Sequence, residues 1–143
     1  MGGVIVGVDD SKTARRAARR AATVAAALDE PLHIVTAVKR GGPGAVKLST
    51  DEFVDDPVSR SRQLLQSIKV ELNVPEAETK LGDKDPAKAI CDEAERIGAA
   101  LIVVGNRRVQ GASRVLGTVA ADVLRHATCD VLVAHTAMEP SDG

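Results

Sequence analysis

Apolar segments alternate with segments of helical periodicity along this chain, and this alternation constrains its fold more than any other feature. Four short runs rich in β-branched residues lie at residues 4–8, 32–38, 101–104 and 131–135, and a weaker segment of alternating polarity lies at 77–81. Such runs are typical of strands in a parallel sheet that is covered on both faces. Right-handed crossovers join strands that alternate with helices. We therefore expect an α/β fold, an open five-stranded parallel sheet with helices on both faces and a Rossmann-like arrangement.

The first predicted helix covers residues 12–28 and has two distinct faces. The face predicted to point away from the sheet carries Lys12 and four arginines. Such a run of charge is usually a solvated surface rather than a patch that binds membrane or nucleic acid. Ser11 precedes the helix and is suited to cap it. The stripe predicted to pack on the sheet contains small and aliphatic residues, namely Ala14, Ala17, Ala18, Ala21, Val24, Ala25 and Leu28.

Three further helices are predicted between the remaining strands. Asp56 and Asp85 are each followed by proline, a pair typical of an N-cap and the first helical residue. Residues 39–56 lack periodicity and are predicted to form a long loop. The last helix covers residues 118–127, and its spacing predicts an apolar stripe of Val119, Val123, Leu124 and Ala127.

Composition restricts the functions open to the chain. Its 143 residues carry a formal net charge of −1 and one aromatic residue, Phe53, so no nucleic-acid partner is expected. No apolar run could span a membrane and no signal sequence is evident, so we expect a cytoplasmic protein without a membrane partner.

Cys91 and Cys129 are expected to be buried, reduced thiols. A single domain at residues 1–138 and a disordered tail at 139–143 are predicted.

The segment at residues 101–118 is the strongest candidate for a binding site. An apolar strand stops at Gly105, an arginine-rich loop follows, and Gly117 and Thr118 begin the last helix. Unpaired N–H groups and the positive end of the helix dipole favour a phosphate or carboxylate there. The glycine spacing matches neither a Walker A sequence nor a dinucleotide fingerprint.

Other strand exits should join this segment. In open α/β sheets, ligands bind beyond the carboxyl ends of the strands, where the strand order reverses. Asp9, the second-strand exit near Ala37, and Gly105 all follow predicted strands. We expect the three to lie on one rim of the sheet.

Four stretches together resemble the universal stress protein family over nearly the whole chain. They are VGVDDS at residues 6–11, GDKDPAKAI at 82–90, the loop between Gly105 and Gly117, and VLRHATCDVLVAH at 123–135. The resemblance implies the strand order 3-2-1-4-5. It also implies that the ligand is ATP or a related adenine nucleotide, either AMP or cyclic AMP. Separately, Asp10 is a single acidic candidate for holding a metal ion such as Mg²⁺ that bridges the phosphates.

The resemblance also assigns roles to individual residues. Asp9 and the backbone of Ala37 match positions that contact adenine, and the glycines that flank the loop match those that let the backbone approach the ribose and phosphates. Thr118 matches the hydroxyl that binds phosphate. The predicted nucleotide-binding set is Asp9, Ser11, Ala37, Gly105, Arg107, Arg108, Gly117, Thr118 and Val119.

One position departs from the family pattern. Arg108 stands where the family usually has its second glycine, and the loop is one residue shorter than the common spacing. Arginine is unfavourable where the backbone needs a positive φ. Its guanidinium can, however, donate charge-assisted hydrogen bonds to phosphate. Arg108 therefore either supports phosphate binding or blocks it.

Three functions are compatible with these features. The first is a stress or signalling effector that binds adenine nucleotide with little or no turnover, or a cyclic AMP-binding member. The second is a protein-interaction module that has lost the nucleotide, and the third is a phosphohydrolase or nucleotidyl transferase. Since no general base or water-positioning group is evident, no catalytic residue is predicted. The apolar strand from Val131 to His135 lies at a predicted sheet edge, and we expect it to pair in a homodimer.

Overall fold

The computed structural model describes residues 2–38, 56–108, 114–115 and 117–135. Its strands, in chain order, are β1 (Val4–Gly7), β2 (Leu32–Ala37), β3 (Glu78–Gly82), β4 (Leu101–Gly105), β5 (Arg107–Arg108), β6 (Arg114–Val115) and β7 (Asp130–Ala134). Five of them form a parallel sheet in the order β3-β2-β1-β4-β7, whereas β5 and β6 form a separate antiparallel pair. The predicted α/β fold and strand order 3-2-1-4-5 are thus confirmed, with β7 as the fifth strand.

Four helices connect these strands, and local sequence signals set their ends. The Ser11 hydroxyl accepts a hydrogen bond from the Ala14 N–H at 3.1 Å, and the Asp85 carboxylate caps the third helix through the Lys88 N–H at 3.2 Å. Residues 39–55 and 136–143 lie outside the described residues, and with them the predicted tail and all of the predicted long loop except Asp56. The helices are α1 (Lys12–Leu28), α2 (Pro57–Leu72), α3 (Pro86–Ile97) and α4 (Thr118–His126).

The core consists of two apolar layers, one on each face of the sheet. Because successive strand side chains point to opposite faces, Val4 and Val6 of β1 pack with α1 and α2, while Ile5 packs with α3 and α4. All three side chains are fully buried. The alanine stripe of α1 is buried as predicted at Ala14, Ala17, Ala18, Ala21 and Ala25.

Three predicted core positions on the helices are wrong. Leu28 is 51% exposed because it lies at the open end of α1, next to the left-handed C-cap residue Asp29. In α4 the buried face contains Ala120 and Val123, whereas Val119 and Leu124 are 37% and 44% exposed. Helical spacing fits either stripe, but α4 covers the edge of the sheet and also packs on α3. Its neighbours therefore decide which side is buried.

The two cysteines are free thiols, as predicted, but each is only partly buried. They pack at the margin of the apolar layer beneath α3 and α4, where burial raises the pKa of both thiols. Within the described residues, no helix has the length and hydrophobicity needed to cross a bilayer.

Two glycines allow α3 to lie directly on the sheet. A Cβ at Gly7 would lie 2.3 Å from the Ile90 Cδ1, and a Cβ at Gly82 would lie 2.3 Å from the Ala89 Cβ. Atoms cannot approach this closely without displacement. Both glycines are at the carboxyl ends of strands. They therefore set the distance between α3 and the sheet at the same edge as the predicted site.

Candidate functional site

The carboxyl ends of three adjacent strands form the rim on which the predicted residues lie. β1 is hydrogen-bonded to β2 on one side and to β4 on the other, at the usual spacing of about 4.8 Å. Asp9 follows β1, Ala37 ends β2 and Gly105 ends β4. The chain builds the sheet in one direction from β1 to β3 and then in the other from β4 to β7. The rim is therefore the switch point where such sheets bind ligands.

Asp9 is held over the turn between β1 and α1 and is exposed. Its Oδ1 accepts hydrogen bonds from the Ser11 N–H, at 2.9 Å, and from the Ser11 hydroxyl. The same hydroxyl caps α1, so Ser11 acts both as a cap and as a support for the Asp9 carboxylate. The next residue, Asp10, is an exposed partner of Arg15 at 3.3 Å. The carboxylate of Asp9 is thus oriented before any ligand binds.

Thr36 is a supporting residue that the sequence reasoning missed. Its side chain is buried, and its hydroxyl donates a hydrogen bond to the Val8 carbonyl at 2.8 Å. The Val8 N–H in turn donates to the Val35 carbonyl at 2.8 Å. These bonds connect the exit of β1, and hence Asp9, to the exit of β2. A hydroxyl within the apolar run LHIVTAV was the available signal, because a buried hydroxyl needs a partner.

The part of the rim predicted to bind phosphate is formed by the exit of β4 and the start of α4. Gly105 lies opposite Ala134 in the ladder, and the Asn106 N–H donates to the Ala134 carbonyl at 3.1 Å. Gly117 is the N-cap of α4 with φ −69° and ψ 168°, and it has no side chain to cap the helix. Thr118 and Val119, in the first turn, are exposed. The start of α4 therefore presents backbone donors to solvent, as an anion site requires.

The segment between Gly105 and Gly117 contains a short two-stranded ribbon instead of only the loop that was expected. In it Arg107 lies opposite Val115, and Arg108 lies opposite Arg114. Arg108 therefore has extended backbone. Among the described residues, the only non-glycine positions with positive φ are Asp29 and Asn73. The backbone objection to arginine at position 108 does not apply.

A groove of about 490 Å³ lies elsewhere, along the free edge of β3, and none of the nine predicted residues is among those that line it. Its lining includes four basic and four acidic side chains. Several pair with one another, as Lys88 does with Asp92 at 2.8 Å and Arg96 with Glu93 at 2.6 Å. The hydrogen bonds from Arg96 lower the pKa of the buried Glu93 carboxyl. Because its basic and acidic side chains are equal in number, the lining carries no excess of positive charge that would favour a phosphate.

Within the parts of the chain that the structure describes, no group of three or more His, Cys, Asp or Glu residues is arranged to hold a metal ion. Asp10, the single acidic residue proposed for that role, pairs with Arg15.

The fold and rim define an α/β protein with the topology of a nucleotide-binding domain. Comparisons with known proteins identify its family. The model of the universal stress protein family matches residues 1–135. A relative from Staphylococcus haemolyticus that carries this family name is 31% identical, over 97% of this chain and 87% of its own length. The chain therefore belongs to the universal stress protein family, which confirms the resemblance seen in its motifs.

Solved structures agree with this assignment. A universal stress protein in complex with cAMP is 31% identical, covers 95% of this chain and 98% of its own, and superposes with a TM-score of 0.68. A universal stress protein from Archaeoglobus fulgidus in complex with dAMP is 27% identical, with coverages of 93% and 97% and a TM-score of 0.67. Both of these similar proteins hold an adenine nucleotide.

Proposed function

We propose that this protein binds ATP or a related adenine nucleotide at the rim formed by β1, β2, β4 and the start of α4, and that it acts in the cytoplasm as an effector with little or no turnover. The observation that carries the proposal is the convergence of Asp9, Ala37 and Gly105 at the switch point of the sheet. The cAMP and dAMP complexes of similar proteins support it.

The adenine half of the proposed site lies at the exits of β1 and β2. The Asp9 carboxylate, oriented by Ser11, would accept a hydrogen bond from the exocyclic amino group of adenine. The backbone of Ala37 would contact the same ring. Thr36 holds these two segments together through its bond to Val8, and so acts as a positioning residue.

The phosphate half lies at the exit of β4 and the start of α4. The backbone at Gly105 and Gly117 would approach the ribose and phosphates, where a side chain would take up space. The Thr118 hydroxyl and the Val119 N–H would donate hydrogen bonds to phosphate oxygens, assisted by the helix dipole. The ribbon residues Arg107 and Arg108 would add positive charge.

Isothermal titration calorimetry with ATP, AMP and cAMP tests the proposal directly. We expect binding of at least one nucleotide, and loss of that binding in Gly117→Asp, because the new carboxylate puts bulk and negative charge at the phosphate site. Gln66→Asp, on the exposed side of α2, is the matched control and should bind as the wild type does. No heat from any nucleotide, at protein concentrations suited to micromolar affinity, would refute the proposal.

We also propose a homodimer formed through β7. This strand is at the edge of the sheet and is apolar, a combination that folded proteins usually cover. Val133 is 39% exposed, and the exposed Val119 and Leu124 lie on the helix that precedes it. Val133→Lys should shift the protein from dimer to monomer in sedimentation equilibrium, whereas Val70→Lys, at a residue 69% exposed on α2, should not. A wild-type protein that stays monomeric at high concentration contradicts the dimer.

A further inference from the structure

The groove along the free edge of β3 is a surface that the proposed function does not use. It has a volume of about 490 Å³ and is lined from both sides of the strand. Val58 and Arg62 of α2 lie on one side, and Ala89 and Arg96 of α3 lie on the other. The two helices pack on opposite faces of the sheet. The groove therefore follows the strand edge itself, between α2 and α3.

The backbone of β3 presents hydrogen-bonding groups to this groove. On its other edge β3 pairs with β2, where the Val38 N–H donates to the Gly82 carbonyl at 2.9 Å. The N–H and C=O groups of successive residues in a strand point to opposite edges. Those of Lys80 and Gly82 therefore face β2, whereas those of Thr79 and Leu81 face the groove. In the part of the chain that the structure describes, no strand pairs with this edge, which makes it a template for an added strand.

Two cations flank the free edge, one on each face of the sheet. Leu81 packs in the apolar layer with α1 and α2, so the side chain of Lys80 points to the opposite face, toward α3. Arg62 lies on the α2 side. Both cations are exposed, and among the described residues neither forms an ion pair. The other two basic residues of the lining, Lys88 and Arg96, are paired with acidic residues of α3.

This placement of charge favours an extended occupant over a compact one. Because β3 lies between Arg62 and Lys80, a small anion is poorly placed to contact both. Successive side chains of a strand point to opposite faces, so two adjacent acidic residues in an added strand would reach one cation each. A second copy of this chain fits less well, because its own β3, ETKLG, contains no two adjacent acidic residues.

We propose that the free edge of β3 binds an extended segment of a partner protein, which pairs with the backbone of Thr79 and Leu81 and places two adjacent acidic residues beside Arg62 and Lys80. The backbone bonds supply affinity and the two charged contacts supply selectivity. None of the nine residues predicted to bind nucleotide lines this groove, so the proposal does not depend on nucleotide binding.

Fluorescence anisotropy tests the charged contacts. The probes are two amidated peptides with the same fluorescein label, TVEEVT and its matched control TVKKVT, each added to the full chain. The wild type should bind TVEEVT with a Kd below about 1 mM and at least about tenfold more tightly than TVKKVT. Arg62→Glu and Lys80→Glu should each weaken binding of TVEEVT about five- to tenfold, because attraction becomes repulsion. Arg60→Glu, at an exposed position of α2 outside the lining, should leave it unchanged.

Amide hydrogen exchange measured by NMR tests the backbone pairing. Saturating TVEEVT should slow exchange of the Thr79 and Leu81 amides at least about fivefold, because the added strand takes up both N–H groups. The Lys80 amide already faces β2 and should change little.

Each other result overturns a stated part of the proposal. If TVEEVT does not bind at millimolar concentration, the edge is not a peptide site. Equal binding of the two peptides, or binding that neither charge reversal weakens, removes the role of the two cations. Binding without slower exchange at Thr79 and Leu81 rules out strand addition. A mass above that of a dimer in sedimentation equilibrium, lowered by Lys80→Glu, would assign the edge to a second copy of the chain instead.

Discussion

Gly82 allows a quantitative test of how α3 is seated on the sheet beside the proposed site. A Cβ at this position would lie 2.3 Å from the Ala89 Cβ and 3.5 Å from the Ala89 Cα. Carbon atoms in contact prefer about 3.5–4.0 Å, so the helix would have to move away from β3 by more than about 1 Å. Alanine has no side-chain rotation that could relieve the clash, and the backbone must therefore move.

The expected cost follows from this geometry. Gly82→Ala should lower the free energy of unfolding by about 1–3 kcal/mol, as overpacked positions do. Ala89→Gly alone should cost about 1 kcal/mol, because glycine is a poor helix former. In the double variant the clash is absent, so the loss should stay near the value for Ala89→Gly instead of reaching the sum of about 2–4 kcal/mol.

Urea unfolding monitored by far-UV circular dichroism measures all four proteins. The chain has no Trp or Tyr and a single Phe, so intrinsic fluorescence offers no comparable signal. Protein concentration must be held constant because a dimer gains stability by mass action. Losses that simply add in the double variant, or a Gly82→Ala protein as stable as the wild type, would refute the close seating of α3 on β3.

Three further predictions concern stability and the support of the site. Thr36→Val should cost about 1 kcal/mol, since the Val8 carbonyl loses its buried donor, and should weaken nucleotide affinity; a variant that loses stability but keeps full affinity would show that Thr36 does not position Asp9. The pKa of Glu93 is lowered in the folded protein, so its contribution is present above its unfolded pKa of about 4.3 and disappears as pH falls through the lower folded value. Urea unfolding of Glu93→Gln should accordingly show a weaker loss of stability below about pH 4.3, and an unchanged slope would contradict this. Leu124→Ala should leave the unfolding of the monomer within about 0.5 kcal/mol, whereas Val123→Ala, at a fully buried position, should cost more than about 1 kcal/mol.

The sequence alone was sufficient for the order of the four helices and the five strands of the main sheet, and for most of their ends. The cap bonds of Ser11 and Asp85 each reach a backbone N–H three residues ahead, so the same short stretch contains both partners. The burial of the strands could also be predicted from the sequence. A strand whose side chains are apolar on both faces is stable only when a layer covers each face of the sheet. The strand order did not follow from local chemistry. It came from the family resemblance, and the structure confirms it.

Tertiary structure decided the features that depend on partners distant in sequence. Helical spacing in α4 fits two stripes, and only packing against α3 selected Ala120 and Val123 as buried while Val119 and Leu124 stayed exposed. The bond from Thr36 to Val8 joins residues 28 positions apart, and the pairing of Arg108 with Arg114 exists only in the register of the ribbon. The sequence by itself thus determined which segments form the helices and the strands of the main sheet, since those preferences are local. Which side chains meet was decided by the fold, because burial and register depend on what lies opposite each residue.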